Sequence, residues 1–100
     1  MAMQLLPKEM LHQVAERFRL LGEPVRLEIL NLLHVHGEMN VQDLMQVTRQ
    51  RQANVSKHLN LLLTAGMVSR RKEGLYVYYT INDPSLSGLC LLVCGQIPGS

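Results

Sequence analysis

"RQRQANVSKHLNLL", Arg49 to Leu62, is the stretch whose reading decides the fold. Basic residues, side-chain amides and one histidine run into leucines, with no Asp or Glu among them. From Gln52 to about Ala65 the spacing predicts a helix, closed by Gly66. Val55, Leu59, Leu62 and Leu63 share one face. At about 100° per residue, Ala53, Asn54 and Lys57 point to the opposite side, flanked by Ser56, Asn60 and Leu61. One face is therefore made for a core, and the other, polar and free of acids, is made to touch something else.

Working outward, the upstream chain is helical. Pro7 to Leu21 carries Leu11, Val14, Ala15, Phe18 and Leu21 at helical spacing, and Gly22 ends it. Pro24 suits the first turn of a second helix, to about Val35, with Val25, Ile29 and Leu33 as its apolar row. Gly37 stops that helix. Met39 to Val41 reads as a short strand before a third helix, Val41 to Val47. Downstream the period changes. Met67 to Arg71 and Leu75 to Ile81 are β-rich runs joined around "KEG", a hairpin signal. Pro84 to about Ile97 reads as a last helix with no charged residue, apolar almost all round. It is too short to span a bilayer, so it should pack against protein.

Composition sets bounds on this reading. The 100 residues suit one domain, 1–100, ordered over about 7–97 with 98–100 as a tail. A hydrophobic fraction of 47% with 18% charged residues is globular. The net charge of +2 does not by itself argue for nucleic acid. Its distribution does. Arg49, Arg51, Lys57, Arg70, Arg71 and Lys72 are basic, and no acid lies between Asp43 and Glu73. The N-terminus has no secretion-signal pattern, and no apolar stretch reaches membrane-spanning length. Cys90 and Cys94 are too few for a disulfide scaffold. The expected location is the cytoplasm, with no membrane partner.

Two short helices, the second basic on its outer face, followed by a basic hairpin, make the plan of a winged helix-turn-helix. The expected fold class is α+β, mostly α, with a two-stranded wing and an added helix at each end for dimerisation. The physics fits double-stranded DNA. A helix enters the major groove, where Asn and Gln read adenine edges and Lys reaches guanine or phosphate. Gln52, Asn54, Ser56 and Lys57 are the candidate contacts to bases and nearby phosphates. Arg70, Arg71 and Lys72 are the candidate contacts of the wing to the sugar-phosphate backbone. Ser56 also fits a role in supporting the turn, and His58 fits helix packing. Tyr76, Tyr78 and Tyr79 alternate along a strand, so packing is expected for some of them.

The sequence resembles the ArsR/SmtB winged-helix repressors from about Leu11 to Asp83. "LGEPVRLEILNLL" is similar to that family's second helix, "QANVSKHLNLLLTAGMV" to its recognition helix and "RRKEGLYVYYTI" to its wing. The resemblance implies a homodimer joined through the first and last helices. It also implies repression of an operon, relieved by an inducer. Arg51 stands where relatives usually have a capping Ser. Arg26 has two readings, a phosphate contact near the dyad or a helix salt bridge.

The inducer sites that the resemblance implies are where the chain departs. Metal sensors of the family place cysteines around the start of the third helix, and "GEMNVQDL" has none. Others place Asp and His ligands on the last helix. Asp83 fits the first, but Ser85, Gln96 and Gly99 stand near the other positions. No metal site of the usual kind and no cofactor are expected. His34 and His36 are a weaker metal candidate, since two residues apart on a helix they diverge. Cys90 and Cys94, four apart on the last helix, leave two readings. They are either small buried apolar residues or a thiol or reactive-sulfur sensor. A rival function is a winged-helix module that docks on proteins, which salt dependence would separate from DNA binding. No paired carboxylates, nucleophile with base, or phosphate-binding glycine loop suggests an enzyme. The inducer and the operator stay open.

Overall fold

The computed structural model describes residues 7–82. The expected last helix, Cys90, Cys94, Asp83 and the tail lie outside the described residues. A short 3-10 turn, Lys8–Met10, leads into α1, Leu11–Leu21. Then follow α2, Pro24–His36; β1, Met39–Asn40; α3, Val41–Thr48; and α4, Gln52–Thr64. The hairpin strands are β2, Val68–Glu73, and β3, Tyr76–Ile81.

Local chemistry places most of these boundaries. Pro24 opens α2, and the Glu23 carboxylate accepts the Arg26 backbone N–H at 2.8 Å. The Asn40 side chain accepts the Asp43 N–H at 2.8 Å, so the chain turns from strand to helix within one residue. α4 ends in a Schellman motif. The Met67 N–H reaches the Leu62 carbonyl and the Gly66 N–H reaches that of Leu63. Gly66 makes this possible with φ +75, while Met67 and Leu62 are both fully buried.

The sheet order is β1-β3-β2, all antiparallel. The wing hairpin is two-stranded as expected, but β1 adds a third strand through the pairs Met39↔Tyr79 and Asn40↔Tyr78. The hairpin is also tighter than "KEG" suggested. Pairing runs on to Glu73↔Tyr76, leaving only Gly74 and Leu75 in the turn. Gly74 at φ +61, followed by a residue without positive φ, is the pattern of a type II′ turn. Lys72 and Glu73 therefore belong to the ladder.

The core lies where α2, α3 and α4 meet the sheet. Ile29, Leu30 and Leu33 come from α2, Leu44 from α3, and Val55, Leu59 and Leu62 from α4. Met39, Met67, Val68 and Tyr79 close it from the sheet side. This burial fixes how α4 is rotated about its axis, and so which residues face outward. Of α1 only Leu21 is buried, while Leu11 and Phe18 stay exposed.

Candidate nucleic-acid interface

α3 and α4 are joined by a short turn. The buried Thr48 hydroxyl donates to the Leu44 carbonyl at 2.6 Å and finishes α3. Arg49 follows in the left-handed region at φ 58, and Arg51 is extended and begins α4. Arg51 makes no side-chain capping bond, so the cap implied by a Ser at this position is missing here.

α4 divides as its spacing predicts. Gln52, Ala53, Lys57, Asn60 and Leu61 are exposed, Asn54 and Ser56 are half-buried, and Val55, His58, Leu59 and Leu62 are buried. The Asn54 amide donates to Gln50 Oε1 at 2.6 Å, one helical turn back. The four expected readers, Gln52, Asn54, Ser56 and Lys57, thus lie along the N-terminal half of one helix. That is the part of a recognition helix that meets base edges.

His58 faces inward and is only 4% exposed. Its Nδ1 lies 3.1 Å from Arg26 Nη1 and 3.8 Å from Glu23 Oε2. Arg26 Nε also donates to the Leu20 carbonyl at 2.6 Å. Among the described residues, Arg26 is bonded to the Leu20 carbonyl and His58 and makes no simple helix salt bridge. It ties the α1–α2 corner to the inner side of α4. Burial pushes the His58 pKa down, the Glu23 charge pulls it up, and Arg26 and Lys57 push it further down. The Glu23 carboxyl is held below its usual range, chiefly by the Arg26 backbone N–H.

On the wing, alternate residues take opposite faces. Arg70 and Lys72 share one face and are exposed. Arg71 lies on the other. Its guanidinium sits 4.9 Å from the centre of the Tyr78 ring, pairs with Glu38 at 2.7 Å and also pairs with Glu73. These carboxylates hold Arg71 firmly protonated, and Arg71 in turn holds the Glu38 carboxyl below its usual range. Tyr79 is buried, Tyr78 half-buried and Tyr76 exposed, so the three tyrosines divide between core and surface. Of the six cations from Arg49 to Lys72, Arg71 alone has an ion pair among the described residues.

The turn also belongs to this surface. Gln42, Met45, Gln46, Arg49, Gln50 and Arg51 line one open groove. Its trace in the sequence is the acid-free "RQR" ahead of α4. His34 and His36 are both exposed, and among the described residues no three His, Cys, Asp or Glu side chains gather to hold a metal ion. No helix among the described residues is long and apolar enough to cross a membrane.

A helix-turn-helix with a cationic outer helix and a paired wing defines the winged helix-turn-helix class. Residues 23–70 match the model of the arsR family of bacterial regulatory proteins. The chain is 39% identical over 85 residues to an uncharacterized HTH-type transcriptional regulator of Methanocaldococcus jannaschii, covering 85% of this chain and 96% of that one. It is 34% identical over 79 residues to the transcriptional repressor PagR of Bacillus anthracis, covering 79% of each. The crystal structure of PagR superposes with a TM-score of 0.74, 32% identity, and coverage of 87% of this chain and 99% of that one. A solution structure of a homodimeric winged helix-turn-helix DNA-binding domain from Mycobacterium bovis matches with a TM-score of 0.76 and 35% identity, covering 94% and 87%. The chain belongs to the ArsR/SmtB family of transcriptional regulators.

Proposed function

We propose that the chain is a homodimeric cytoplasmic repressor that binds a palindromic operator and leaves it when an inducer binds. One observation carries the DNA reading. The outer face of α4 and one face of the wing present Lys57, Arg70 and Lys72 with no ion pair among the described residues. Gln52, Asn54, Ser56 and Lys57 are assigned to bases and nearby phosphates. Arg70 and Lys72 are assigned to backbone. Arg71 reaches backbone only by giving up Glu38 and Glu73, so its share is the smallest of the three.

The homodimeric domain of the M. bovis relative and the repressor role in PagR's name support dimerisation and repression. The exposed Leu11 and Phe18 on α1 suit the interface. A two-fold dimer would set two recognition helices into successive major grooves. Cys90 and Cys94 carry two readings to be separated by the test, inducer sensing by thiol oxidation or a sulfur bridge, and packing as small apolar residues.

The test is footprinting on DNA flanking the chain's own gene, over a range of salt, with and without oxidant, persulfide donor and metal ions. Protection of a two-fold symmetric site that weakens steeply with salt is expected. Binding to no duplex, or affinity that ignores salt, would instead favour a protein-docking module. The sensing reading expects oxidant or persulfide to release wild type reversibly, while a Cys90→Ser, Cys94→Ser double variant stays bound. Equal release of both would end it.

A further inference from the structure

We infer that Arg49 and Arg51, with Gln42 and Gln46, form a phosphate clamp beside α4 that grips the phosphodiester backbone of duplex DNA. This rests on the operator-binding reading and adds a contact that the helix face and wing do not supply. The four side chains line the same open groove between α3 and the turn. None of the residues lining it is acidic. Neither guanidinium has an ion-pair partner among the described residues.

Both arginines also run against local preference. Arg49 occupies the left-handed region, where glycine or asparagine is favoured and a Cβ is crowded. Arg51 occupies an N-cap, where Ser, Thr, Asp or Asn would satisfy a helix N–H and where a cation faces the positive end of the helix dipole. Two positions on either side of Gln50 thus hold a residue type that the local backbone does not favour. Departures of this kind concentrate where a side chain serves function. A phosphate in the groove supplies what both lack, a negative charge with several acceptor oxygens for forked donors. Gln42 and Gln46, one turn apart on α3, add neutral donors along the same edge.

The test exploits that conflict. Arg49→Gly suits the backbone better, and Arg51→Ser restores a cap, so both variants should melt at or above the wild-type temperature. Both should nevertheless bind DNA more weakly, on the footprinted duplex and on a random duplex alike. Each should lower the slope of log affinity against log salt by about two units per dimer, one phosphate per subunit. Arg49→Lys should keep the wild-type slope. If wild type binds and both variants keep its slope, this inference falls while operator binding stands. If wild type binds no duplex, operator binding itself falls. Weaker binding together with a lower melting temperature would assign the loss to the fold and overturn the clamp.

Discussion

Arg71 Nη2 lies 2.7 Å from a Glu38 carboxylate oxygen, with the guanidinium drawn across the face of Tyr78. The strand that carries three consecutive cations is therefore partly neutralised from within, by Glu38, just ahead of β1, on one side and Glu73 on the other. Replacing both carboxylates, Glu38→Gln with Glu73→Gln, should release Arg71 toward phosphate and steepen the salt dependence of DNA binding by about one unit per subunit. Arg71→Ala should change the slope less than Arg70→Ala or Lys72→Ala. Titrations at several salt concentrations decide it, and equal effects from all three would remove the distinction between the two faces of the wing.

Asn54 is held by Gln50 at 2.6 Å, which limits how its amide turns toward a base. Asn54→Ala should cost about 1–3 kcal/mol on the preferred site and relax sequence preference at one position. Gln50→Ala should act in the same direction but less, since it loosens the reader without removing it. Binding to a panel of single-base variants of the site measures both. Uniform loss across the panel would mean that Asn54 anchors and does not read.

His58 makes stability depend on pH. Its folded pKa is depressed, so the folded state prefers the neutral ring and the unfolded chain takes up the proton first. Stability is then fully present above the unfolded pKa of about 6.5 and is lost as pH falls from there toward the folded value. Glu23 and Glu38, also depressed, contribute stability above the ordinary carboxyl range that is lost at lower pH. Urea midpoints measured from about pH 7 to pH 5 should fall for wild type and stay nearly level for His58→Gln. A wild type that is level over that range would contradict the neutral buried ring.

Leu59 and Leu61 are two residues apart on α4 and should differ sharply. Leu59 is fully buried and Leu61 is 42% exposed. Leu59→Ala should destabilise by about 2–5 kcal/mol through lost burial and a cavity. Leu61→Ala should stay within roughly 0.5 kcal/mol, as for other surface changes. Denaturant unfolding reads both, and similar losses would mean that α4 is rotated from the position described.

The order of elements was legible because each depends on near neighbours in the chain. Pro24 and Gly37 bracket α2, Gly66 closes α4, and the step from helical to alternating period marks the wing. The outer face of α4 followed from the same logic, since Val55, Leu59 and Leu62 could only point toward a core. Sequence spacing also limited the turn poorly. The ladder runs to Glu73 because cross-strand bonds favour pairing once Gly74 supplies the positive φ, and that pairing partner is not visible in one strand alone.

What tertiary structure decided is which charges are free. In the sequence Arg26, Arg71 and Arg70 are alike, one cation each. Folding brings Arg26 against His58, 32 positions away, and Arg71 against Glu38, 33 positions away, while Arg70 meets no carboxylate among the described residues. Helical and strand periods act over a few residues and are written locally. Ion pairing depends on which distant segments the core packs together, so the same residue type becomes a structural brace in one place and a candidate phosphate contact in another.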